Sequence, residues 1–489
     1  MSVDAAIVGS GPNGLAAAIA LSGAGLEVEV LEQHDTAGGG MRTMPLTLPG
    51  FHHDVCSSVH PLAIASPFFR TLPLESYGLS WIEPPAPVVH VLADGRAVAL
   101  ERSVNETARA LGSDRDSYVA TFDPFVRRFD ELMEMILGPL RTPSSPLLLA
   151  GFGLAGLGSA NGLLERRFAT AEARALLAGI AAHAMLPLDS LATASFALVL
   201  AISAHAVGWP IARGGSGAIA EALASHLRAL GGRIVTGRNI AHVADLPAAR
   251  AYVFDVTPRQ LLSIARSELP ASYCRRLERY RYGPGVCKMD WALRQPIPWR
   301  DAGCARSATV HLLGTWQDVA RAEAAVQNGT VAEHPFVILV QPTLFDTSRA
   351  PDGMHIAWAY CHVPNGSTMD ASAMIEEQVE RAAPGFRDVI LARSVRTAPE
   401  MERYNPNYVG GDINGGAADL AQLFFRPVAR VDPYSTPNPR IFLCSSSTPP
   451  GGGVHGMCGF WAAQSVLRRL RDARKERPAQ QAGQTSVTG

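Results

Sequence analysis

Three glycines and one acid near the start of the chain have the types and spacing of a dinucleotide site. Gly9, Gly11 and Gly14 fall in the run Val8-Gly9-Ser10-Gly11-Pro12-Asn13-Gly14, and Glu32 follows where a βαβ unit places a carboxylate on a ribose. Gly9 permits a sharp turn, Gly11 lets the backbone approach a pyrophosphate with no Cβ in the way, and Gly14 lets a helix close onto a strand. The helix start would present unpaired N–H groups and a partial positive charge to the phosphates. Glu32 can accept both ribose hydroxyls and would repel a 2′-phosphate, which selects FAD or NAD over NADP.

These residues need a strand before them and a helix after, and the sequence supplies both. An apolar run ends at Gly9, an Ala/Leu-rich segment continues to about Gly25, and a second apolar strand, Val28-Glu29-Val30-Leu31, stops on Glu32. Directly beyond, Gln33-His34-Asp35-Thr36-Ala37-Gly38-Gly39-Gly40-Met41-Arg42 is too glycine-rich for helix or strand. It places Arg42 where it could meet the same pyrophosphate from its other side. Two more glycine patterns, at 151–156 and 215–220, lack respectively a following strand that ends in an acid and a preceding strand. They read as a loop or loosely wound helix and as a helix start.

Between about 61 and 191 the apolar spacing is largely helical. Strands at 234–235 and 251–256 make the middle of the chain α/β and return it to the first sheet. Further strands are expected at 335–341 and 355–360, with a helix at 371–383. Near the end, an apolar strand from Arg440 feeds the turn Pro449-Pro450-Gly451-Gly452-Gly453-Val454-His455-Gly456 and a helix over 461–470, again a place where oriented N–H groups can hold negative charge.

Composition bounds the rest. A chain of 489 residues can bury a large core, and 43 basic against 44 acidic residues leave no footprint for nucleic acid. Seven scattered cysteines show no CxxC or zinc-ligand spacing, so a reduced, cytoplasmic setting without a metal site is expected. The first cation is Arg42, so no targeting leader is expected. The uncharged run between Asp189 and Arg213 is long enough for a bilayer but only marginally apolar, and reads as a buried helix. Five of the seven tryptophans lie between Trp209 and Trp358, which suits either core or a lipophilic pocket.

With both ends read, the chain resembles the FAD-dependent oxidoreductases of the phytoene desaturase and amine oxidase superfamily, and within it the phytoene-dehydrogenase-like group. Four segments carry the likeness: the first fingerprint with its 38–43 turn, the stretch 280–293 containing Gly285-Val286-Cys287-Lys288-Met289-Asp290-Trp291, the stretch Asn405-Pro406-Asn407-Tyr408-Val409-Gly410-Gly411-Asp412, and the turn 447–459. The resemblance implies an α/β fold with a Rossmann-like, discontinuous FAD-binding domain of the glutathione reductase type, formed by 1–65, 208–265 and 425–472. An α+β substrate domain would comprise 66–207 and 266–424, followed by a disordered tail at 473–489.

The resemblance further implies that Gly9, Gly11, Pro12, Asn13, Gly14, Glu32 and Gln33 hold the ADP half of FAD. Gly39, Gly40 and Arg42 would line the pyrophosphate and ribityl side, and a strand near Ile240 the adenine. Ser446, Gly452, Gly453, Val454 and the helix start at Met457 would face the ribityl chain and flavin. His455 and Lys288 are the catalytic candidates. His455 must point to flavin or to solvent, and Lys288 reads first as a surface ion pair with Asp290. His53 and Tyr404 read as structural. The implied reaction is hydride transfer from a lipophilic or apolar substrate to flavin N5 by a dehydrogenase or desaturase. A flavin amine oxidase, a redox-neutral isomerase using reduced FAD and a non-catalytic flavin-binding regulator stay open, as does peripheral membrane contact. Carotenoid desaturases have a GG-R turn, whereas an extra residue precedes Arg42 here, so substrate specificity does not carry over.

Overall fold

The structure is a computed structural model that describes residues 3–484, with side chains to residue 473. Its first sheet is parallel throughout, in the order Ile441–Leu443, Ala249–Phe254, Val3–Val8, Val28–Leu31, Arg233–Val235. Val3–Val8 is paired on both edges and nearly all buried, which is why it reads as a continuous apolar run. Strands from the two ends of the chain thus share one sheet, in the α/β, Rossmann-like architecture expected.

The helix Pro12–Gly23 carries fully buried Ala16, Ala17 and Ala18. Small residues are needed because the last helix, Met457–Gln484, passes very close. A Cβ on Gly459 would stand 1.8 Å from the Asn13 carbonyl oxygen. This crossing locks the end of the chain against the turn that opens it.

The second sheet runs Ile390–Arg396, Gly285–Leu293, His355–Val363, Val337–Val340, Thr309–Leu312, Val88–Val91, Ala97–Leu100. All its pairs are antiparallel except Thr309–Leu312 with Val88–Val91. Register aligns Arg396, Lys288, Tyr360, Ile338, His311 and His90 in one row across a single face. Period-two alternation puts Asp290, Trp358 and Val340 in the next row of that same face.

The uncharged run forms the mostly buried helix Thr193–Ala206, and among the described residues no single helix is long and apolar enough to cross a membrane. Residues 151–156 close the helix Pro146–Gly156. The 215–220 pattern follows Ile211–Ala212, which pairs antiparallel with Trp81–Ile82 and stays outside the first sheet. Neither pattern is a strand-turn-helix unit of a parallel sheet. One expectation is corrected: 473–484 is helical, continuing Met457–Gln484, because its Ala, Arg, Lys, Glu and Gln residues are strong helix formers. The remainder of that expected tail, 485–489, lies outside the described residues.

Candidate active site

The glycine turn closes on its neighbours as a cradle. Gly9 adopts φ +96°, and a Cβ on Gly14 would stand 2.1 Å from the Gly9 carbonyl oxygen. One on Gly11 would lie 2.5 Å from Asp255 Oδ2, and one on Gly39 would lie 2.9 Å from the Gly11 Cα. The 9–14 and 38–40 turns therefore meet backbone to backbone, as an extended phosphate ligand requires. They open into one cavity of about 730 Å³ walled by both sheets, with Glu32 and Ile240 toward its nucleotide end and Trp358 and Tyr360 among its apolar walls.

Glu32 accepts four hydrogen bonds from the glycine turn, from His34 and from Arg42. Its Oε2 accepts from the Ser10 N–H at 3.0 Å and the Ser10 hydroxyl at 2.6 Å, and its Oε1 from the His34 N–H and from Arg42, each at 3.0 Å. Arg42 spends its other donors on the Thr36 and Gly39 carbonyls. Although it lies on the cavity wall, it is turned to Glu32 rather than across a pyrophosphate, because a buried guanidinium takes the nearest buried carboxylate. Ile240 is also on the wall, but in the loop after Arg233–Val235 rather than on a strand.

Pro12, Asn13, Gln33 and Gly40 line the same cavity, as do Ser446, Gly453 and Val454 from the far end of the chain. Gly14, Gly452 and Met457 are set behind the wall, and so are both catalytic candidates. His455 points neither to the cavity nor to solvent. Its Nδ1 accepts the Met457 N–H at 3.0 Å, which satisfies the first turn of the last helix, and burial lowers its pKa to about 4, keeping the ring neutral. Its carbonyl accepts from the Ser66 hydroxyl at 2.6 Å.

Lys288 forms a buried pair, not a surface one. It is 2% exposed, its Nζ lies 2.5 Å from Asp290 Oδ1 and 5.0 Å from the Trp358 ring, and burial pushes Lys288 down and Asp290 up. His53 stands 3.6 Å from the same carboxylate oxygen, with its Nε2 2.8 Å from the Thr47 hydroxyl. Tyr404 lies beneath Arg396 at 4.7 Å.

Two residues of the wall escaped the sequence reading. Asp255, at the end of Ala249–Phe254, accepts the Gly14 N–H at 2.8 Å; burial, reinforced by the Glu32 charge, pushes its carboxyl up to about 7. The acid closing strand 251–256 was the available signal. His183, in the turn after Ala171–Ala181, is half-buried and had no local signal at all.

A parallel sheet whose glycine cradle opens into an apolar, aromatic-walled cavity is the architecture of a dinucleotide-binding fold, and the residues present fit such a ligand. A model of NAD(P)-binding Rossmann-like domains matches residues 7–72. The chain is 25% identical to the pyridine nucleotide-disulfide oxidoreductase domain-containing protein 2 of Mus musculus, across 96% of this chain and 94% of that one. It is 28% identical to a 4,4'-diapolycopen-4-al dehydrogenase of Metabacillus indicus across 25% of this chain and 26% of that one. A putrescine oxidase solved with putrescine bound superposes with a TM-score of 0.61 at 17% identity, covering 96% and 99%. The resemblance read from the sequence holds: the chain is similar to an oxidoreductase domain-containing protein over nearly its whole length, and the solved amine oxidase shares its fold.

Proposed function

We propose that the chain is an FAD-dependent dehydrogenase or desaturase that removes a hydride from a lipophilic organic substrate. The observation that carries this reading is the distribution of charge along the cavity. Among the described residues of its wall the carboxylates are Glu32 and Asp255, both beside the glycine cradle, whereas Leu62, Leu200, Trp209, Ile338, Trp358 and Tyr360 supply apolar surface. An apolar chain gains from such walls, and a cationic amine would lose its hydration with no carboxylate to meet it. Bound FAD would supply the two-electron acceptor. The 9–14 turn and Glu32 would hold its ADP half, and Gly39, Gly40, Gly453 and Val454 would lie along the remainder. In this reading 1–65, 208–265 and 425–472 bind the cofactor, and 66–207 with 266–424 shape the substrate end.

The second reading, amine oxidation, rests on the Trp358 and Tyr360 rings, stacked at 5.7 Å and 14° on the wall. Anaerobic addition of polyenes and of amines to the yellow protein separates the two. Bleaching of the flavin band by a polyene supports the first, bleaching by amines alone supports the second, and a protein that cannot be loaded with FAD supports neither.

Asp255 adds a pH dependence of definite sign. Its carboxyl is neutral below about 7 and ionised above, and the ionised form opposes a diphosphate at the same helix start. FAD affinity should therefore weaken as pH rises past about 7, by up to about tenfold per unit. Asp255→Asn should flatten the profile. FAD titrations between pH 6 and 9 measure it, and a wild-type profile already flat would contradict the assignment.

A further inference from the structure

Oxidation that removes a hydride also leaves a proton to be carried away, and the cavity wall offers a ring that could take it. His183 lies on that wall, its Nε2 is 3.1 Å from Nε2 of His311, and its Nδ1 has no hydrogen-bond partner among the described residues. His311 and His90 stand directly opposite each other on adjacent strands, with ring centroids 6.2 Å apart. The Nδ1 atoms of both lie 2.7 Å from where a Cβ on Gly179 would be, so only glycine fits there, and neither Nδ1 has a hydrogen-bond partner among the described residues. His90 Nε2–H donates to the Gly314 carbonyl at 3.2 Å. Gly314 lines a separate surface cleft of about 420 Å³, together with Leu313 and Arg321. Buried imidazole nitrogens without partners are costly, and a succession of them between two openings calls for a role.

We propose that His183, His311 and His90 form a proton route from the substrate end of the cavity to the cleft at Gly314. This rests on the hydride-removing function above. With FAD bound, the oxidised flavin would accept the substrate's hydride with its electron pair, and the substrate's second hydrogen leaves as a proton to His183 Nδ1. His183 passes its Nε2 proton to His311 Nε2; a small rotation of the two rings into the space that Gly179 leaves open brings their Nδ1 atoms within reach, His311 passes its Nδ1 proton to His90 Nδ1, and His90 releases its Nε2 proton at the Gly314 carbonyl on the cleft. One proton enters and one leaves, and each ring ends neutral.

The surroundings suit transit rather than storage. The His362–Glu323 pair, at 2.8 Å, together with Trp209 and Phe336, packs around these rings. Burial holds His183 near 3 and His90 near 4 and pushes His311 well down, so all three rest neutral at working pH.

The test needs no organic substrate. FAD-loaded protein is photoreduced under anaerobic conditions while flavin bleaching and proton uptake, read with a pH-indicator dye, are followed together. Uptake should keep pace with bleaching in the wild type and lag by about tenfold or more in His311→Gln, His90→Gln and Gly179→Ala, with bleaching unchanged. Uptake that keeps pace in all three variants overturns the route. Nitrogen-15 histidine spectra of unloaded protein give an independent reading. His183 and His311 should share one Nε2 proton, and two uncoupled rings would overturn the route even if FAD does not bind. Failure to bind FAD is recognised separately, by the missing yellow band, and counts against the proposed function alone.

Discussion

Gly459→Ala is expected to loosen the whole cofactor site and to weaken FAD binding at least about a hundredfold. The added Cβ would stand 1.8 Å from the Asn13 carbonyl oxygen and 2.9 Å from the Ala17 N, and these are backbone atoms that cannot rotate aside. Overpacking of this kind costs about 1–3 kcal/mol when side chains can yield, and the last helix must instead lift off Pro12–Gly23. Asn13 belongs to the cradle turn, so the displacement reaches the phosphate site directly. Gly23→Ala, at the far end of the facing helix Pro12–Gly23, is the control. Nothing lies within 4 Å of its added Cβ, and the change should be neutral or stabilising by up to about 1 kcal/mol. Thermal unfolding and FAD titration of the two variants make the comparison, and equal behaviour would refute the close crossing.

The second large effect is expected at the buried pair. Lys288→Met removes the cation that hydrogen-bonds Asp290 in the sheet interior and leaves it with His53 at 3.6 Å and the charge of Arg396, and breaking such a pair from one side costs about 3–5 kcal/mol. The sign with pH follows from the carboxyl. Burial raises Asp290 in the fold above its unfolded value, so its neutral form is tolerated at low pH and stability is lost as pH rises and it ionises. The variant should therefore be weaker at pH 8 than at pH 5. The double variant Lys288→Met, Asp290→Leu should recover most of the loss, since it leaves no uncompensated charge. Urea unfolding at the two pH values is the measurement. A single variant as stable as the wild type would show that the pair carries no structural weight.

Much of the cofactor end was legible because its signals are local. Gly9, Gly11, Gly14 and Glu32 announce a strand, a turn, a helix and a second strand within one short stretch, and the structure builds those elements there. The substrate end was not legible, because it depends on register. Lys288, Tyr360, His311 and His90 come from four strands far apart in the chain, and only their pairing puts them on one face. His455 was misjudged for a related reason: a ring in a glycine turn can bend back to the next helix start, and that choice depends on where the helix begins. Asp255 was visible as the end of a strand, but its contact with Gly14 joins residues that only the parallel sheet brings together.

The central claim is that one elongated ligand is held between turns supplied by opposite ends of the polypeptide. A crystal structure of the FAD-loaded protein tests it most directly. Density should run without a break from Ile240 and Glu32, past Gly11 and Gly39, to Gly453 and Val454, with the ring system toward Trp358 and Tyr360. Density confined elsewhere, or a cavity that stays clear at saturating FAD, would contradict it.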